Sequence, residues 1–226
     1  MRLAAQHRRE QLIKAAMRLF SEQGFHGTTT REIAEAAGVN EAIIFRHFAS
    51  KEELYWAVVS EQIHSSGRRQ KIAEYLASGQ SDGEVLARIA ETLLMRTQED
   101  AALTRLLLFS SLRSAELSDQ LFRTYISEGY ELLSNYIKAG IEQGRFRQVD
   151  PLLAARGFLG MVMYHILVQE IFGGERHQKF DPRVVSRELS EMWLNGIAAR
   201  PAKEARQTGK HSTERARAKE LVGSGF

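Results

Sequence analysis

Residues 38–48 read GVNEAIIFRHF and gather hydrogen-bonding side chains in apolar surroundings. Wound as a helix, the segment puts Ile44 and Phe48 on one side and Glu41, Arg46 and His47 on the other. Arginine and histidine presented together can meet the phosphates or base edges of nucleic acid. The same pattern also describes a short core helix that carries an arginine, and the surroundings decide between the two. Other chemistry has less to build on. The seven histidines (His7, His26, His47, His64, His165, His177 and His211) are scattered, with no H-E-x-x-H or other metal-ligand spacing. There is no cysteine, which excludes disulfides, thiolate zinc sites and cysteine nucleophiles and fits a reducing, intracellular setting. Patterns of the G-x-S-x-G or phosphate-loop type are missing, so no catalytic, metal or cofactor residue is assigned.

The elements that must position these residues are helices. Three prolines in 226 residues, and long stretches rich in Ala, Leu, Glu, Arg and Gln, predict an all-α chain of about nine helices. Ile13, Ala16, Met17 and Phe20 give the first helix one apolar face, and Gly24 ends it. Thr29 to Glu32 reads as a capping box that starts helix 2, which ends at Gly38. Asn40 caps helix 3, and Ser50 to Glu53 is a second capping box that opens a long helix 4. Further helices are expected near 83–97, 99–112, 118–143, 151–173 and 182–199, the last two started by Asp150-Pro151 and Asp181-Pro182. Between helices 2 and 3, Ala34, Gly38 and Ile44 have the spacing of a helix-turn-helix. A small residue lets the helices cross, a glycine takes the tight turn, and a branched apolar residue packs back.

The stretch that carries this pattern, residues 24–54, resembles the N-terminal domain of the tetracycline-repressor (TetR) family of transcriptional regulators. The matching residues are Gly24-Phe25, Thr28-Thr29, Ile33-Ala34, Ala37-Gly38-Val39, Phe45, Phe48 and Ser50 through Leu54. The resemblance implies a dimeric protein that reads a palindromic operator in double-stranded DNA, each subunit placing helix 3 in the major groove. It implies DNA contacts from Thr28, Thr29, Thr30, Arg31, Asn40, Glu41, Ala42, Ile43, Phe45, Arg46, His47 and Lys51. Thr30, His47 and Lys51 correspond to phosphate contacts, and Arg31 to a position that reaches a guanine edge. Phe45 stands where tyrosine is usual and lacks its phosphate-bonding hydroxyl; Ile43 replaces a small polar residue, so both favour apolar contact. Glu41 can accept from cytosine N4 but repels phosphate, and is left without a role.

Residues 1–54 are thus expected to form the DNA-binding domain, 55–199 a helical ligand-binding and dimerisation domain, and 200–226 a basic, disordered tail. Lys and Arg outnumber Asp and Glu seven to three after Ala199, more than the whole net charge of +3. Residues 152–172 are very apolar, but their longest uncharged run, Gly157 to Gln169, falls short of the ~20 residues of a membrane span. A buried helix is expected there, with no membrane contact. The N-terminus lacks a secretory apolar region, and a cytoplasmic location is expected. In the family the last two helices form a four-helix bundle across a two-fold axis. That places Gly157, Gly160, Leu189, Met192, Trp193 and Gly196 at a homodimer interface. A small-molecule effector, largely apolar, is expected among Trp56, Met95, Leu108, Phe109, Arg113, Tyr125, Tyr130, Phe158, Met161 and His165. Repression relieved by this effector, with coupling through helix 4, is the function implied. An all-α enzyme and a helical interaction module without sequence-specific DNA binding are the competing classes.

Overall fold

A computed structural model describes residues 2–65, 67–95 and 98–198. The expected tail, 200–226, lies outside them. The fold is all-α. Helix α1 (Arg2–Gly27) breaks at Gly24 and is followed by α2 (Thr30–Ala36), α3 (Glu41–His47) and α4 (Lys51–Ser65). Next come α5 (Arg68–Leu76), α6 (Asp82–Leu94), α7 (Gln98–Arg113), α8 (Ala115–Leu121), α9 (Ser127–Glu142), α10 (Pro151–Ile166) and α11 (Pro182–Ile197). Two more helices are thus described than the sequence suggested. One of them, α5, follows helix 4 without having been expected: Gly67 adopts φ 60, a left-handed conformation that costs glycine little, and α5 begins beyond it. The expected helix 118–143 is α8 and α9 joined by a π-helical turn, Phe122–Ile126; α10 likewise ends in a π-helical turn, Leu167–Ile171.

The caps form as the sequence indicated. Thr29 and Glu32 exchange hydrogen bonds, Asn40 accepts from Ala42 N–H at 2.9 Å, and Asp150 and Asp181 accept from Leu153 and Arg183 N–H. At the start of α4 the Ser50 hydroxyl accepts from Glu53 N–H, but the Glu53 carboxylate reaches past Ser50 to Ala49 N–H. Satisfying these otherwise orphaned groups fixes where each short helix begins.

Two apolar cores result. The first joins Phe20 and Phe25 of α1 to Ile33, Ala34, Ile44, Phe48, Tyr55 and Val58, and continues into Leu103 and Leu106 of α7 and Leu117 of α8. The second packs α6 (Leu86, Ile89), α9 (Leu133, Ile137), α10 (Phe158, Val162) and α11 (Trp193, Ile197). Helix α7 lies along α1, so the N-terminal helices are seated on the rest of the chain by an apolar contact. The expectation of a buried helix at 152–172 is met on one side alone. Pro151–Ile171 has the length and apolarity of a membrane span, and 22% of its most apolar 18-residue window is buried within the chain. Ala155, Phe158, Val162 and Ile166 face the core, whereas Leu153, Gly157, Gly160 and Tyr164 face outward.

Candidate nucleic-acid interface

Helices α2 and α3 form the expected turn. Ala34 and Ile44 are buried against each other's helices, Gly38 takes φ 66, and Val39 N–H closes the turn on the Ala34 carbonyl at 2.9 Å. The two capping residues, Thr29 and Asn40, are both exposed, as is Ala42. Glu32, held by the backbone N–H and then the hydroxyl of Thr29, has its carboxyl lowered below the ordinary carboxylate range. Arg31 projects into solvent and forms a 3.1 Å pair with Glu35 one turn on; such an exposed pair contributes little and yields readily to a better anion. Phe45 is 52% exposed, and Arg46 is exposed with no protein partner among the described residues. His47 is half-buried against Phe48, with ring centroids 6.4 Å apart.

Four expected DNA contacts sit differently. Thr28 is fully buried, and its hydroxyl donates to the carbonyls of Gly24 and Leu19, so it closes the end of α1 and faces no ligand. Lys51 donates from Nζ to the carbonyls of Phe25 and Thr28, each at 3.0 Å, and lies 4.4 Å from the Phe25 ring centroid. Two of its three donors therefore serve as a strut between α4 and the turn after α1. Ile43 is half-buried, and part of its side chain packs on the first core. Thr30 donates its hydroxyl to Glu41 Oε1 at 2.5 Å. This bond also gives Glu41 the role the sequence left open. It ties the start of α2 to the start of α3 and sets the angle between the two helices. No motif could have revealed a pairing across eleven residues.

Among the described residues, those expected around an effector are spread over the two cores and the surface. Trp56 stacks on Tyr125 (6.4 Å, 23°) against the first core, while Phe158 is fully buried in the second and Met161 packs beside it. Phe158 is therefore a core residue. Met95, Phe109 and Arg113 are exposed, Leu108 is half-buried, and Tyr130 lies under the Arg156 guanidinium at 5.6 Å. His165 does border a cavity of about 260 Å³, whose walls include Leu94, Ile166, Gln169, Glu170 and Phe180. Its ring meets Phe180 edge-on at 5.5 Å, and burial lowers its pKa below the ordinary 6.5.

At the expected dimer surface, Gly157, Gly160, Met192 and Gly196 are exposed. Leu189 packs partly on the second core of its own chain. Trp193 is a correction: it is buried, donates from Nε1 to the Ala154 carbonyl at 3.2 Å, and meets Phe158 edge-on at 5.4 Å.

Comparison with known proteins agrees with this architecture. Residues 12–58 match the family model of bacterial regulatory proteins of the tetR family, and residues 84–190 that of the C-terminal domain of AefR-like transcriptional repressors. The HTH-type transcriptional repressor KstR2 of Rhodococcus jostii is 30% identical over 156 residues, 66% of this chain and 73% of that protein. Among solved structures, a TetR-family regulator from Mesorhizobium loti superposes with a TM-score of 0.69 at 20% identity, over 86% of this chain and 98% of that one. FadR from Bacillus subtilis, solved in complex with stearoyl-CoA, gives 0.66 at 23% identity, over 83% and 98%. The two structures speak for the fold alone; the family models and KstR2 go further. The chain belongs to the TetR family of bacterial transcriptional regulators, helix-turn-helix DNA-binding proteins and not enzymes.

Proposed function

We propose that this chain is a homodimeric repressor that reads a palindromic operator through α3 and lets go when a small, largely apolar molecule binds its helical body. The observation that carries this reading is the joint presentation of Arg31, Ala42, Phe45 and Arg46 on the solvent side of a capped helix-turn-helix. Arginine supplies bidentate hydrogen bonds to guanine edges, and Phe45 an apolar surface for a thymine methyl. Residues 1–54 are assigned to reading, 55–199 to effector binding and dimerisation, and 200–226 to a basic tail. Lys51 keeps one donor available for a phosphate.

Dimerisation through α10 and α11 is supported by the uncovered stripe Leu153, Gly157, Gly160 and Tyr164, with Met192 and Gly196 beside it. Its glycines allow close helix approach, and an isologous pairing would cover the apolar face of α10. For the effector, the cavity beside His165 is lined by both apolar (Leu94, Ile166, Phe180) and polar (Gln169, Glu170, Lys179) side chains. A molecule with an apolar body and a polar end suits it, and the stearoyl-CoA bound by Bacillus subtilis FadR makes acyl-CoA thioesters the first class to try. The test is fluorescence anisotropy of a selected duplex titrated with acetyl- through stearoyl-CoA. Release at saturating thioester is expected; unchanged duplex affinity across the series would dispose of release by this class.

A further inference from the structure

The matched N-terminal stretch begins at residue 12, and no individual DNA contact has been placed before it. Yet Arg9 is held at the reading head. Its guanidinium lies over the Phe48 ring, 5.1 Å from the centroid. Phe48 is fully buried and is the C-cap of α3, its N–H bonded to the Ile44 carbonyl. The contact therefore fixes Arg9 relative to the last turn of α3, where Arg46 and His47 lie.

Stacking uses the face of a guanidinium and leaves its in-plane N–H donors available. Those donors have no partner among the described residues, and the side chain is exposed. Its neighbour Arg8 behaves differently, donating from Nη1 to Gln11 at 2.8 Å. Nearby carboxylates are already engaged: Glu10 accepts from Gln6, and Glu53 accepts from Ala49 N–H. At the other end of α3, Glu41 is tied to Thr30 and brings negative charge. The reading head is thus polarised, acidic where α3 begins and cationic where it ends. Cations at the helix C-terminus are favoured by its dipole, and a planar donor fork matches the oxygens of a phosphate.

We propose that Arg9 is a backbone-phosphate contact of the DNA interface, clamping the strand that passes the C-terminal end of α3. The assignment rests on the reading of α3 as the recognition helix. It also gives the polar head a direction on DNA, with phosphates at the end of α3 and its acidic start turned away from them.

The test compares wild type with Arg9→Met, which keeps an unbranched apolar side chain but removes the charge, and with Arg9→Lys, which keeps the charge. Each is titrated by anisotropy against the duplex recovered from randomised-site selection, across a salt series. Circular dichroism melts confirm that all three are equally folded. Losing one phosphate contact in each subunit of a dimer lowers the slope of log K against log[salt] by about 1.8. From 50 to 200 mM salt the affinity gap between wild type and Arg9→Met should then shrink roughly tenfold. Arg9→Lys should keep the wild-type slope, and all three should select the same sequence. A wild-type slope in Arg9→Met overturns the assignment, and so does a changed preference at one base pair, which would make Arg9 a base reader. A wild-type protein that binds no duplex overturns the recognition-helix reading as well.

Discussion

Replacing Lys51 with methionine should destabilise the reading head, not simply weaken its grip on DNA. The ammonium makes two hydrogen bonds of 3.0 Å to the Phe25 and Thr28 carbonyls and sits 4.4 Å from the Phe25 ring centroid. Hydrogen bonds from a charged donor contribute about 1.5–3 kcal/mol each, and partial exposure places these at the low end, about 3 kcal/mol together. The ring contact adds about 0.5–1 kcal/mol. Methionine keeps the stem packed, and water recovers part of the loss at the two carbonyls, leaving a net cost of about 2–3 kcal/mol. With a urea slope of about 1–3 kcal/mol per molar, the midpoint should fall by roughly 0.7–3 M. Urea denaturation followed by circular dichroism, at one fixed protomer concentration, reads this directly. An unchanged midpoint combined with weaker duplex binding would refute the strut and restore Lys51 to a plain phosphate contact.

Gly140→Ala should lower the melting temperature, because a methyl there would overlap the buried Phe146 ring that folds back over the end of α9. Overpacking costs about 1–3 kcal/mol and better helix propensity returns up to about 1 kcal/mol, so a net loss of about 1–2 kcal/mol is expected. An unchanged or raised melt would contradict it. The pH dependence of stability should carry a contribution from His165, whose folded pKa is lowered by burial. A depressed pKa means that the unfolded chain binds the proton more readily. Stability is therefore intact above about pH 6.5 and falls as the pH drops below it. Comparing melts of wild type and His165→Phe from neutral to mildly acidic pH checks this: the variant's profile should be flatter, and parallel profiles would remove the burial argument.

The parts of the fold that were legible in the sequence are those fixed by local chemistry. Thr29, Asn40, Asp150 and Asp181 each cap a helix within three residues of their own position, and Ala34, Gly38 and Ile44 announce a turn whose geometry admits few other residues. Gly67 was not legible, since a lone glycine is tolerated inside a helical pattern and only its φ of 60 reveals the break before α5. Contacts between distant segments were also out of reach. Lys51 meets carbonyls more than twenty residues earlier, and Glu41 meets Thr30 across a helix crossing; at both positions a charged residue beside a DNA surface reads as a DNA contact. The expected dimer surface could not separate Trp193, spent on its own core, from Met192, which faces outward. The pocket was hard to read from the sequence for a related reason. Aromatic and methionine side chains mark a core and a pocket alike, and Trp56 and Phe158 belong to different cores.

The central claim is that α3 reads DNA sequence, with Arg46 among its base-contacting residues. The most direct measurement is randomised-site selection with wild type and Arg46→Ala in parallel. Wild type should enrich an inverted repeat. Arg46→Ala should enrich the same repeat with one position per half-site relaxed, a loss of about 1–3 kcal/mol of discrimination there. A wild-type pool with no enriched repeat, or an Arg46→Ala pool identical to it, would contradict the claim.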